Sequence, residues 1–168
     1  MQNVYLIGMM GSGKTSTGRA LASLVPMQFL DLDEAIESQT HLTINEIFRK
    51  KGESFFRAEE KRILSEAARG ADTVVATGGG VVLEPENVER MIATGRVIYL
   101  AASFEALWQR VRDKKDRPLL SVSDPKAVFF RLFQERSPLY DAACHEKVAT
   151  DGLSPEAVAK QIFKQYLR

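Results

Sequence analysis

The run Gly8-Met9-Met10-Gly11-Ser12-Gly13-Lys14-Thr15 matches the phosphate-binding pattern G-x-x-x-x-G-K-[ST] in full. Few short patterns constrain a fold so tightly. Glycines let backbone N–H groups close around phosphate oxygens, the lysine reaches the outer phosphates, and the hydroxyl of the last residue faces Mg²⁺. Such a loop needs a strand before it and a helix after it. Val4-Tyr5-Leu6-Ile7 reads as a buried parallel strand, and Thr17, Leu21, Leu24 and Val25 then recur at helical spacing.

Further strand-like runs occupy 28–32, 73–77, 96–101 and 146–150, with helical patterns between all of them. That alternation predicts an α/β fold: a central, five-stranded, mostly parallel sheet with helices on both faces, joined by right-handed crossovers. Ligands in such sheets gather at the carboxyl ends of the strands. Thr43-Ile44-Asn45-Glu46 reads as a capping box, and Asp124-Pro125 and Ser154-Pro155 each set a capping side chain before a first-turn proline.

Two segments break the rhythm. About forty residues of helical pattern separate the second and third strands, more than one crossover needs. From Arg112 to Arg117 every residue is charged, and Pro118-Leu119-Leu120 follows, which reads as a lid. The whole is expected to be one domain over 1–168, with a substrate-binding helical insertion at about 33–62 and the lid at about 112–124.

Lys and Arg total 23 against 22 Asp and Glu, so no basic field draws nucleic acid or an anionic membrane. Cys144 is the only cysteine, which rules out an internal disulfide and fits a reducing compartment; it is expected to be a small buried hydrophobe. No basic segment precedes the apolar residues up to Met10 and no small-residue cleavage site follows them. The chain therefore reads as soluble and cytoplasmic, and near-neutral charge favours a monomer.

Asp31 and Asp33 flank Leu32 near the end of the second strand, where a period of two puts both carboxylates on one face. A hard cation and a donating hydroxyl would each relieve their repulsion, although capping of the next helix is an alternative role for Asp33. The third strand ends in Val75-Ala76-Thr77 with no acid, which leaves Asp31 as the metal-directed carboxylate. It runs into Gly78-Gly79-Gly80, a candidate anion nest or close-approach site. Arg57 and Arg136 suit an acceptor bearing a carboxylate, but each is also placed for a surface ion pair, and Ser137-Pro138 predicts a helix end just after Arg136. Arg117 is placed to close over phosphates and Arg110 to stack on an adenine ring. His41 and His145 lack partners at metal-ligand spacing, and Trp108, Phe129 and Phe130 read as packing.

Assembled in order, Gly8–Ser16, Asp31-Leu32-Asp33, Phe56-Arg57 with Glu59 and Glu60, Gly78-Gly79-Gly80, Asp116-Arg117-Pro118-Leu119-Leu120 and Glu135-Arg136-Ser137-Pro138-Leu139-Tyr140 resemble the shikimate kinase family nearly end to end. The resemblance implies a three-layer nucleoside monophosphate kinase-like fold. It also implies transfer of the γ-phosphoryl group of ATP to the 3-hydroxyl of shikimate, a step of chorismate and aromatic amino-acid biosynthesis. On this pattern Gly11, Ser12, Gly13, Lys14, Thr15 and Ser16 would hold the phosphates, and Thr15 and Asp31 one Mg²⁺ per subunit. Asp33 would bind and orient or deprotonate the attacking hydroxyl. Arg57 and Arg136 would grip the carboxylate, Gly79 and Gly80 a ring hydroxyl, and Arg110 and Pro155 adenine. Lys14, Asp33 and Arg117 would be the catalytic set. An ordinary aspartate, with a pKa of about 3.9, is a poor base at neutrality, so Asp33 is expected to position more than to abstract. A gluconate kinase, needing no arginine pair, and a nucleotide-binding module without turnover are the rival readings.

Overall fold

The computed structural model describes residues 2–167; Met1 and Arg168, the ends of the expected domain span, lie outside the described residues. Five strands, β1 (Asn3–Ile7), β2 (Gln28–Asp31), β3 (Thr73–Ala76), β4 (Gly95–Ala101) and β5 (Glu146–Ala149), form one sheet in the order β2-β3-β1-β4-β5, parallel throughout. Strand β1 is buried along its whole length because both of its faces are covered. Tyr5 and Ile7 join one apolar cluster with Val75, Val97 and Tyr99; Val4 and Leu6 join the opposite one with Val74, Ile98 and Leu100. This is why the strand reads as an unbroken apolar run rather than an alternating one.

Helices α1 (Lys14–Ala22) and α8 (Pro155–Tyr166) pack on each other over the Val4–Leu6 face. The other face carries α2 (Leu32–Thr40), α4 (Glu53–Ala67) and α7 (Pro125–Ala143), with α3 (Ile44–Lys50), α5 (Pro85–Thr94) and α6 (Phe104–Val111) completing the layer. The long interval between β2 and β3 is therefore three helices, α2 to α4. Short 3-10 turns occupy Val81–Leu83 and Pro118–Leu120. Among the described residues no helix is long and apolar enough to cross a membrane.

The local signals at the helix starts hold. Thr43 and Glu46 form the reciprocal capping box, and Asp124 and Ser154 each accept an amide of the first turn ahead of their prolines. Three expectations change. Helix α1 stops at Ala22, so Leu24 falls outside the apolar stripe and is exposed. Strand β2 ends at Asp31, whose carboxylate caps α2 by accepting the amides of Asp33 and Glu34. Asp33 thus stands in a helical first turn, and capping is the work of Asp31.

The third change is that α7 runs straight through Pro138. Phe129, Arg136, Tyr140 and Ala143 are buried along it, and this tertiary packing outweighs the single backbone bond that proline removes. Cys144, at the end of α7, is only half-buried. Beside it, His145 closes the β4–β5 edge, its Nδ1 accepting the amide of Val97 while its own amide donates to the Val97 carbonyl.

Candidate active site

The sheet order brings the carboxyl ends of β2, β3 and β1 side by side, and each delivers a different part of one cavity. From β1 comes the glycine loop. Gly13 opens α1 in the left-handed region (φ 89°), and a side chain on Gly11 (φ 84°) would press into Val111. The loop can therefore lie close against α6. A cavity of about 430 Å³ opens above it, lined by Gly11, Gly13, Lys14, Thr15 and Ser16 from the loop, Asp31 and Asp33 after β2, Gly78 and Gly79 after β3, and Arg110, Lys114 and Arg117. Ser12 is buried beneath, its hydroxyl without a partner.

Lys14 is held over the loop by bonds from Nζ to the carbonyls of Gly8 (2.8 Å) and Met9 (2.9 Å). Burial pulls its pKa down to about 8, against the attraction of Asp33 and Asp31. The Thr15 hydroxyl donates to Asp31 Oδ2 at 2.5 Å, setting a hydroxyl and a carboxylate oxygen side by side. No group of three or more His, Cys, Asp or Glu poised to hold a metal occurs among the described residues. Two hard oxygen donors beside a phosphate-binding loop suit Mg²⁺, which keeps several waters and takes substrate phosphates as ligands rather than an all-protein cage.

A narrower chamber adjoins this cavity and shares Met10, Asp33, Gly78, Gly79 and Arg117 with it. Arg57, Arg136 and Gly80 line it, with Ile44, Phe48, Phe56, Pro118 and Leu119 as apolar walls. The glycine triplet is the strip on which these side chains meet. A methyl group on Gly78 would collide with Glu60 and reach Asp33 Oδ1 at 3.4 Å. On Gly79 it would reach the Met10 amide nitrogen at 3.4 Å and Arg136 Nη1 at 3.6 Å, and on Gly80 it would overlap the Arg57 guanidinium. At Gly78 and Gly80 a Cβ would push the Glu60 carboxylate and the Arg57 guanidinium aside, whereas at Gly79 it would make only ordinary van der Waals contact.

The electrostatics of this strip are uneven. Asp33 Oδ1 is buried and unpartnered, and desolvation, followed by repulsion from Asp31, raises its pKa above the usual carboxylate range. Arg57 is no surface pair: its Nη1 donates to Glu60, only 1% exposed, at 3.0 Å, while Glu53 holds the other nitrogen at 3.2 Å. Burial raises the Glu60 pKa, and Arg57 opposes the shift. Arg136, 4% exposed, has no carboxylate within ion-pair distance among the described residues. A guanidinium buried without its counter-charge is costly, and a ligand carboxylate is the natural remedy.

Arg110 Nη1 donates to the Gly11 carbonyl at 3.0 Å, which fixes it at the cavity mouth. Pro155 lines neither chamber; it is the first residue of α8, beyond a loop whose Asp151 feels the Arg110 charge. In the sequence Glu60 and Tyr140 stand only as members of motif stretches and Lys114 only as one charge of the 112–117 run, none with a role of its own. Glu60 lies one helical turn from Arg57 and Tyr140 one turn from Arg136, so i, i+3 and i, i+4 spacing was the available signal.

The shikimate kinase family model matches residues 10–167. The chain belongs to the shikimate kinase family. A shikimate kinase from Thermodesulfovibrio yellowstonii is 43% identical over 170 residues, covering all of this chain and 96% of that one. A solved structure of shikimate kinase from Acinetobacter baumannii in complex with shikimate superposes with a TM-score of 0.96 at 39% identity, over 99% of this chain and 93% of the other. A gluconokinase from Sinorhizobium meliloti reaches a TM-score of 0.58 at 17% identity, which is likeness of fold alone. As a shikimate kinase the chain is an ATP-using phosphotransferase, and the five parallel strands with flanking helices are the fold it shares with its structural neighbours.

Proposed function

We propose that this enzyme transfers the γ-phosphoryl group of ATP to the 3-hydroxyl of shikimate as a cytoplasmic monomer, with donor and acceptor in the two connected chambers. One observation carries the reading: Asp33, Arg57 and Arg136 converge on the Gly78–Gly80 strip beside the lysine of the phosphate-binding loop. Arg57 and Arg136 clamp the acceptor carboxylate, which turns its ring so that one hydroxyl meets Asp33. The unpartnered Oδ1 accepts that hydroxyl and takes its proton as the oxygen bonds to phosphorus and ADP departs. A raised pKa makes Asp33 a better base than an ordinary aspartate, so abstraction and positioning both belong to it.

Lys14, with the Gly11–Ser16 loop, holds the phosphates, and their negative charge restores the proton affinity that burial removes from its amine. Arg117 shares both chambers and neutralises charge on the transferring group, where a loose transition state spreads it over oxygens. Thr15 and Asp31 would hold Mg²⁺, which when bound screens the phosphate charges. Arg110 and the segment leading to Pro155 flank the nucleotide base, and residues 112–124 act as the lid.

Coupled detection of ADP release tests the whole. Turnover that requires shikimate, and is absent with D-gluconate or with no acceptor, is expected; turnover with gluconate in place of shikimate, or nucleotide binding without turnover, overturns the reading.

A further inference from the structure

Each carbonyl of the glycine triplet has a protein partner. Gly78 accepts the Val81 amide at 3.2 Å and Gly80 accepts the Leu83 amide at 3.0 Å, both within the turn that follows β3. The middle carbonyl, Gly79, is taken by the hydroxyl of Tyr140, from a helix 61 residues away in sequence. A trans peptide points its C=O and the next N–H in opposite directions. Fixing the Gly79 carbonyl on Tyr140 therefore turns the Gly80 N–H away from that hydroxyl, and Gly79 and Gly80 both line the acceptor chamber.

Tyr140 has no freedom to do otherwise. Its side chain is fully buried, its ring packs on Tyr99 with centroids 5.1 Å apart, and its hydroxyl also lies 3.6 Å from Met9 Sδ in the phosphate-binding loop. One turn earlier on the same helix stands Arg136. A single phenol thus touches the loop that carries the donor and the strip that carries the acceptor.

We propose that Tyr140 is a positioning residue for the acceptor: through the Gly79 carbonyl it aims the Gly80 N–H at a ring hydroxyl of the bound substrate, and through Met9 it keeps the two loops in register. The inference rests on the acceptor reading above and names how that chamber selects a hydroxylated ring.

The test is Tyr140→Phe, which keeps the ring and removes only the donor. KM for shikimate rises about tenfold, the worth of one misaimed hydrogen bond, while KM for ATP stays within about twofold. Shikimate analogues lacking the 4- or the 5-hydroxyl supply the readout that a merely structural role would not move. One of the two is penalised in the wild type, and that penalty collapses in Tyr140→Phe; identical penalties in both enzymes overturn the proposal.

Amide NMR on the wild type needs no variant. The Gly80 resonance shifts with shikimate and stays in place with the same deoxy analogue, and a Gly80 amide indifferent to shikimate overturns the proposal. Loss of all shikimate turnover in the wild type would instead sink the acceptor reading itself.

Discussion

Arg57 and Arg136 do similar chemistry from opposite electrostatic starting points. Glu60 and Glu53 already compensate Arg57, whereas Arg136 is buried with no carboxylate within ion-pair distance among the described residues. Replacing Arg57 by Ala removes a charged hydrogen bond to the acceptor and strands Glu60 without its partner. Shikimate affinity is expected to fall by about 1.5–3 kcal/mol with ATP affinity nearly intact, as titration calorimetry would record. Equal shikimate affinity in the variant would take Arg57 out of the site. Asp33 supplies a second expectation at this scale. Because its pKa is raised in the free protein, the acidic limb of the kcat/KM profile lies at higher pH than an ordinary aspartate would place it. In Asp33→Asn the limb disappears and kcat drops by roughly 10²–10⁴-fold, the range for a positioned acid–base group. A variant that keeps both the rate and the limb would show that another group takes the proton.

At the scale of elements, most structures made by neighbours in the chain are legible in the sequence. The capping box at Thr43, the Asp124 and Ser154 caps and the apolar β1 all follow from residues within a few positions of each other. Misreadings arose where distant packing decides. The proline at 138 should have ended α7, but a buried face that includes Arg136 and Tyr140 carries the helix through it. Asp33 is a different case, two local signals in competition: the alternating pattern reads it as a strand residue, but the Asp31 carboxylate caps the amides of Asp33 and Glu34 and starts α2 at Leu32. The segment from Arg112 onward is largely exposed, yet Asn45 on α3 donates to the Lys115 carbonyl at 3.1 Å. That bond and the Pro118 and Leu119 wall of the acceptor chamber are what closure would strengthen. Hydrogen exchange over 112–124 should slow on adding an ATP analogue and shikimate together; unchanged exchange there would remove the lid from the mechanism.

The molecule as a whole keeps a buried ammonium in place for function at the expense of stability. With Lys14 near 8 when folded and 10.5 when unfolded, both states are protonated below pH 8 and the folded one bears the burial cost. Between pH 8 and 10.5 the unfolded chain binds the extra proton, so stability rises with pH by up to about 3 kcal/mol from this group. Lys14→Met has no such slope. Urea denaturation at pH 7 and pH 10 should therefore show the wild type gaining most of that amount relative to the variant, which also loses turnover. A difference that is flat with pH would mean that the amine is well solvated.

The phosphate-binding loop, the parallel sheet with helices on both faces and the order of the motifs are all legible in the sequence, because each loop, strand, helix and motif is written in residues close together in the chain. Gathering them was the work of the strand order. By setting β3 between β2 and β1, the fold lays Gly78–Gly80 between Asp33 and the loop, and packs α4 and α7 so that Arg57, Glu60, Arg136 and Tyr140 reach the same strip. The proton affinities of Lys14 and Asp33 belong to that gathering as well, since desolvation depends on what surrounds a group in space and has no signature in its neighbours along the chain.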